Sequence, residues 1–253
     1  MSILCYHSVD PTWRSELAVT PEEFDRHCAW LARNRNVVEL DRAVSMLDSR
    51  FRLPAGTVAV TFDDGLSGVA SYAASSLRKH RLAATVFLIA DTLTADPSRY
   101  EWIKGDPPPE PRTMTREQVL ELRDAGVTFG SHSMHHHDLT TLSEAECAAD
   151  LVESRQILSD LLGRPVPFLA YPGGRHDERV RRLAEKAGYD ASFTLPETRE
   201  PIGRHAIPPV GIYPGNGTWT IRIKDARWYL PARTSAPYGA LRRLATRRAD
   251  RSA

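Results

Sequence analysis

The chain is short of cysteine, of long apolar runs and of any excess of one charge, and each shortage removes a class of protein. Its 253 residues include three cysteines, Cys5, Cys28 and Cys147, far apart and without a CxxC pair. That excludes a disulfide framework and a thiolate zinc site, and fits a reducing compartment. The longest apolar run, LAATVFLIA from Leu82 to Ala90, is far below the length of a membrane span. The opening MSILCYHSVDP has no basic segment and too short an apolar stretch for a signal peptide. The expectation is therefore a cytoplasmic protein with no transmembrane segment. A net charge of +1 offers no global attraction for nucleic acid, and none is expected as a partner.

What is present is an ordinary globular composition, 42% hydrophobic and 26% charged, in a chain long enough for one α/β barrel or two small domains. Short β-branched or aromatic runs recur at SILCY, NVVEL, TVAVTF, AATVFLI, VTFG, PFLAY and DASFT. Helical stretches lie between most of them, and their starts are legible. Thr20 with Pro21 and Glu23, Ser143 with Glu146, and Asp177 all read as N-caps, while Gly188 reads as a stop. Strands alternating with helices imply a parallel sheet with crossover helices, open or closed into a barrel. A single domain over residues 1–225 is expected, followed by a basic tail over 226–253.

The tail segment LRRLATRRADRSA carries five arginines against one aspartate, a solvated end or a short amphipathic helix that could meet an anionic partner or membrane surface. The proline-rich GDPPPEPRT, residues 105–113, reads as a stiff surface connection.

In parallel α/β folds ligands collect at the C-terminal ends of the strands. His7, the pair Asp63 and Asp64, His132, and Pro172 with Gly173 all sit there. Two adjacent carboxylates repel, so a buried strand end carrying both asks for a cation or a shared proton. The segment GSHSMHHHDLTTL holds four histidines in six positions, and His132 and His136 could point two imidazoles at one ion. One aspartate would complete a His2Asp set with positions left for water and substrate; the other would serve as a base beside it.

TFDDG, then HSMHH in the form His-Ser-x-x-His, then FLAYPGG, in this order and spacing, together resemble the polysaccharide deacetylase family, carbohydrate esterase family 4, the NodB-homology domain. The likeness covers roughly residues 1–215. ILCYHSV is similar to the opening strand of the branch acting on exopolysaccharide-type glucosamine polymers. The resemblance implies a distorted (β/α) barrel with fewer than eight regular repeats. It implies hydrolysis of an N-acetyl group from an amino-sugar glycan with one divalent ion, zinc being expected and cobalt, nickel or iron the alternatives. It makes Asp63 the base and Asp64, His132 and His136 the metal ligands, with His135 and His137 behind them or facing solvent.

The chain also departs from the family. Ala170 stands where the third motif carries an arginine and Gly173 where it carries an aromatic residue, and the fourth and fifth motifs are not evident. Arg175 is the nearby replacement expected for the arginine, and Tyr171, Gly173 and Arg175 are assigned to oxyanion and substrate contacts. The acid falls to His7, with His205 as its rival. Two other functions remain beside the deacetylase: a deacylase of another small amide on the same metal site, and a catalytically weak sugar-binding module.

Overall fold

The computed structural model describes residues 2–93, 112–195, 202–233 and 235. Its elements run β1 (Ile3–Tyr6), β2 (Ser8–Val9), β3 (Ala18–Val19), α1 (Pro21–Asn34), β4 (Asn36–Val37), α2 (Leu40–Ser45), β5 (Thr57–Phe62), α3 (Ala74–His80), β6 (Thr85–Leu88), α4 (Arg116–Asp124) and β7 (Thr128–Ser131). They continue with α5 (Glu144–Leu162), β8 (Phe168–Ala170), α6 (Glu178–Lys186), β9 (Ala191–Phe193), β10 (Val210–Gly211), α7 (Thr218–Lys224) and α8 (Tyr229–Arg233). Each of the seven expected strand segments contains a strand; β2, β3 and β10, of two residues each, were too short to carry a periodic signal.

The helix caps form as the sequence dictates. Thr20 and Asp177 accept backbone N–H groups at the third helical position, and Ser143 with Glu146 closes a capping box on α5. The expected helix near Thr115 starts with another box, Thr115 with Gln118.

The main sheet runs β10-β1-β5-β6-β7-β8-β9 with every neighbour parallel, and β4 adds to β5. It curls until one segment meets both edges: Ile207 bridges Phe193 of β9, and Val210–Gly211 pairs with β1. This is the distorted barrel that was expected, closed by short pieces rather than by an eighth regular repeat.

Strand alternation sorts the core into two layers. Ile3, Ala59, Phe87, Phe168, Ala170, Ala191, Phe193 and Ile207 fill one cluster inside the curl. Leu4, Tyr6, Val58, Val60, Phe62, Val86, Leu88 and Leu169 join the helices in the other. Tyr6, Phe24 and Phe62 form an aromatic knot that ties α1 to β1 and β5, with Tyr6 and Phe24 in edge-on contact at 5.2 Å. Each fully buried ring stabilises by about 2 to 3 kcal/mol, so the knot holds the β1–β5 register firmly. That register pairs Cys5 with Thr61 and Tyr6 with Phe62. By the same alternation residues 5 and 7 of one strand and 61 and 63 of the other point to the inner side.

Tyr229 and Leu230 of α8 pack on the outer core. The basic tail from Leu241 and most of the proline-rich segment lie outside the described residues.

Candidate active site

The end of β5 turns sharply at Asp64 and Gly65, which take φ of 68° and 62°. Gly65 is needed there twice over, for its left-handed backbone and because a Cβ would meet Leu88 Cδ2 at 2.9 Å. The turn buries Asp64 and leaves Asp63 half-buried.

Opposite it, the turn after β7 carries the histidines. His132 and His136 each bring Nε2 to Asp64 Oδ1, at 3.2 Å and 3.3 Å. Ser133 and His136 have φ of 68° and 58°, a backbone that non-glycine residues adopt only when the surroundings hold it. The hold comes from several sides. Ser133 Oγ accepts the N–H of His136, Asp150 of α5 accepts the N–H of Met134, and the N–H groups of Ala90 and Asp91 donate to the carbonyls of Ser133 and Met134. Asp150 was not anticipated as part of the site. The available signal was a carboxylate between the apolar Cys147 and Leu151 on the inner face of α5.

The electrostatics of the cluster suit a cation. His132 Nδ1 lies 2.8 Å from the carbonyl of Ala170, which can only accept, so this nitrogen carries the proton. A neutral His132 then presents a bare lone pair on Nε2 to a carboxylate oxygen 3.2 Å away, an arrangement that repels unless a proton or a cation joins it. With that proton supplied, hydrogen bonds from His132 and His136 outweigh the burial that pushes the Asp64 carboxyl up and hold it well below the usual carboxylate range. Burial pushes both imidazoles down; Asp64 and Asp63 reverse this for His132, which ends raised, whereas His136 ends lowered. Asp64, His132 and His136 are the one group among the described residues whose ligand atoms converge in this way, all within 4.8 Å of one another. The expected donor set is thus assembled and fits a divalent ion.

The cluster lines a cavity of about 150 Å³ together with His7, Asp63, Ala170, Tyr171, Gly173, Gly174 and Thr194. His7 and Asp63 therefore share a cavity with the ligand set, as the strand ends implied. His7 Nδ1 is buried with no hydrogen-bond partner among the described residues. Asp63 Oδ2 accepts from the thiol of Cys5 at 3.2 Å. Burial, then the charge of Asp63, pushes that thiol well above its usual pKa, so it stays protonated.

Around the turn after β8 two residues depart from the sequence reading. Arg175 does not line the cavity or approach Asp63; its guanidinium is mostly exposed and pairs with Asp138 at 2.8 Å. It emerges two residues beyond Gly173, where the chain has already turned away. Tyr171 lines the cavity, yet its hydroxyl donates to the carbonyl of His205 and its ring stacks on His176. Alternation along β8 sends it to the helical layer, so its phenol is not offered to a substrate. His205 stays outside the cavity, with its ring 3.0 Å from Ser192. Gly173 does line the cavity, and Gly174 beside it admits no side chain because a Cβ would fall 2.5 Å from the backbone N of Leu195. His135 faces solvent and Asp91 at 3.3 Å.

The comparisons with known proteins agree with this geometry. Over 218 residues the chain is 25% identical to the putative polysaccharide deacetylase YxkH of Bacillus subtilis, covering 85% of this chain and 72% of that protein. It is also 25% identical over 139 residues to the peptidoglycan-N-acetylmuramic acid deacetylase PdaA of the same organism, covering 54% of this chain but only 46% of PdaA. The Streptococcus pyogenes deacetylase PplD, solved in complex with acetate, shares the fold with a TM-score of 0.74 at 22% identity, over 88% of this chain and 96% of that one. Residues 52–192, more than half the chain, match the family model described as polysaccharide deacetylase, and the chain belongs to that family.

Proposed function

We propose that the protein is a metal-dependent N-deacetylase of amino-sugar-containing glycans, holding one divalent ion, zinc by preference, on Asp64, His132 and His136. The observation that carries this reading is the convergence of two imidazole nitrogens on one Asp64 oxygen, with a second aspartate in the same cavity. Tetrahedral ligands about 2.1 Å from a zinc ion lie about 3.4 Å apart, close to the 3.2 Å and 3.3 Å separations here. The names of the relatives support the substrate class.

A divalent ion bound there supplies Lewis acidity toward the acetyl carbonyl and makes water a better nucleophile. Asp63 takes the proton from the attacking water, the role left to the carboxylate that pairs with neither histidine. The backbone N–H of Gly173 helps hold the oxyanion, a role that needs no side chain. His7 gives a proton to the leaving nitrogen, so that amide and water become free amine and acetate. A recess of about 550 Å³ on the neighbouring loop, lined by Trp13, Arg14, Glu16 and Tyr213, offers room for further sugar units.

The test is acetate release from N-acetylglucosamine monomers, oligomers and polymer by protein loaded with zinc and by the same protein after chelation. Release that stops on chelation and returns with zinc is expected. Zinc-loaded protein that frees no acetate from any N-acetylated sugar overturns the reading.

A further inference from the structure

The family's third-motif arginine is absent at Ala170, and its expected stand-in, Arg175, is engaged with Asp138. The group that does touch the base is the thiol of Cys5, 3.2 Å from Asp63 Oδ2. We propose that Cys5 is a positioning residue for this active site, its S–H fixing the Asp63 carboxylate so that the other oxygen is presented to the attacking water. The proposal rests on the reading of Asp63 as the base.

Three observations support it. Cys5 is fully buried on the strand next to β5, in register with Thr61, so alternation aims its side chain at the residue two positions on, Asp63. Its other acceptor, the carbonyl of Tyr6, is more distant at 3.5 Å and belongs to its own neighbour. Asp63 is held at both ends, since its backbone N–H also donates to the Tyr6 carbonyl at 2.9 Å. A thiol differs from a guanidinium in a useful way. It directs one carboxylate oxygen without placing a positive charge beside it.

The experiment compares Cys5→Ala, Cys5→Val and Cys5→Ser, each zinc-loaded, by kcat, KM, metal content and melting temperature on one N-acetylated oligomer. Valine fills the space without a donor, and serine restores a donor. One net hydrogen bond corresponds to about a 3- to 10-fold change, so Ala and Val should lose that much kcat with KM and zinc unchanged, and Ser should recover most of it. In the double variant Asp63→Asn/Cys5→Val the loss should not exceed that of Asp63→Asn alone, because Cys5 acts only through Asp63. Wild-type kcat in Cys5→Val, or equal losses in Ser and Val, overturns the proposal and leaves Cys5 as packing. If Val does not fold, Ala against Ser decides in the same way. An Asp63→Asn variant with full activity overturns instead the assignment of the base, and so separates the two failures.

Discussion

Two turns at neighbouring strand ends, residues 131–136 after β7 and residues 170–175 after β8, serve one cavity in opposite ways. The first is crowded with side-chain function and backbone strain: two histidines on one carboxylate, two left-handed non-glycine residues, and hydrogen bonds from α5 and from the end of β6. Left-handed residues of this kind cost about 1 to 3 kcal/mol each and persist only where the surroundings over-determine them. The second turn is nearly bare. It has alanine in place of arginine, two adjacent glycines, and an arginine that leaves for the surface. Its contributions come from the backbone: the Ala170 carbonyl that fixes the His132 tautomer, and the proposed N–H of Gly173. The difference teaches that this chain places its side-chain precision where a cation would be held. The proposed base and oxyanion site are served by strand register and main chain.

The largest effects should come from the crowded side. Asp64→Asn removes the only anionic member of the proposed ligand set, and His132→Ala a buried one, so both should lose the metal and essentially all turnover, as read by elemental analysis and acetate release. Asp63→Asn should keep the metal and lose about 10²- to 10⁴-fold in rate, because asparagine holds the shape but accepts no proton. Metal lost from Asp63→Asn and retained in Asp64→Asn would reverse the two roles.

His27 sharpens the contrast, since it is as buried as His132 but has a tyrosine hydroxyl, that of Tyr6 at 3.2 Å, where His132 has a carboxylate. Burial pushes it down to about 4. The unfolded chain therefore binds a proton between about pH 6.5 and 4 that the folded chain refuses, so stability falls as pH drops through that window, by about 3 kcal/mol in all. Urea unfolding at pH 7 and pH 4.5 should show a smaller difference in His27→Gln than in wild type. An unchanged difference would mean that His27 titrates normally.

Asp150 tests whether the histidine turn needs its outside support. Asp150→Ala leaves the buried N–H of Met134 without its acceptor and should weaken metal binding about 10- to 100-fold; Asp150→Asn, which keeps an acceptor, should weaken it less. Competition with a fluorescent chelator measures both. Equal, wild-type affinities would show that the turn is self-sufficient.

Much of the crowded side was legible in the sequence, because ligand chemistry needs particular residue types: His132, His136 and one aspartate of the 63–64 pair were readable from kind, spacing and strand-end position, and the resemblance singled out Asp64. Asp150 was not, since a carboxylate on a helix looks the same whether it meets solvent or a backbone N–H of the neighbouring turn. The parallel barrel was legible from apolar runs and caps, yet β10 at Val210–Gly211 was too short to see. On the bare side nearness in sequence misled. Arg175 is five residues from Ala170, but the left-handed Gly173 and Gly174 turn the chain between them. Cys5 is far from Asp63 in sequence and reaches it only through the β1–β5 register.

The smallest effect should be that of Arg175, and it decides whether the second turn is as bare as it looks. Its side chain is 69% exposed in the pair with Asp138, so solvent screens the attraction and the pair contributes about 0 to 1 kcal/mol to stability. Asp138 in turn anchors Thr140 with its other oxygen, so the loop after the histidines keeps its shape without the arginine. Arg175→Ala should therefore leave metal content unchanged and kcat within about 3-fold of wild type, with a slightly lower melting temperature. A loss of 100-fold or more in kcat with metal retained would mean that the arginine swings into the cavity when substrate binds. The contrast between the two turns would then be a property of the free protein alone.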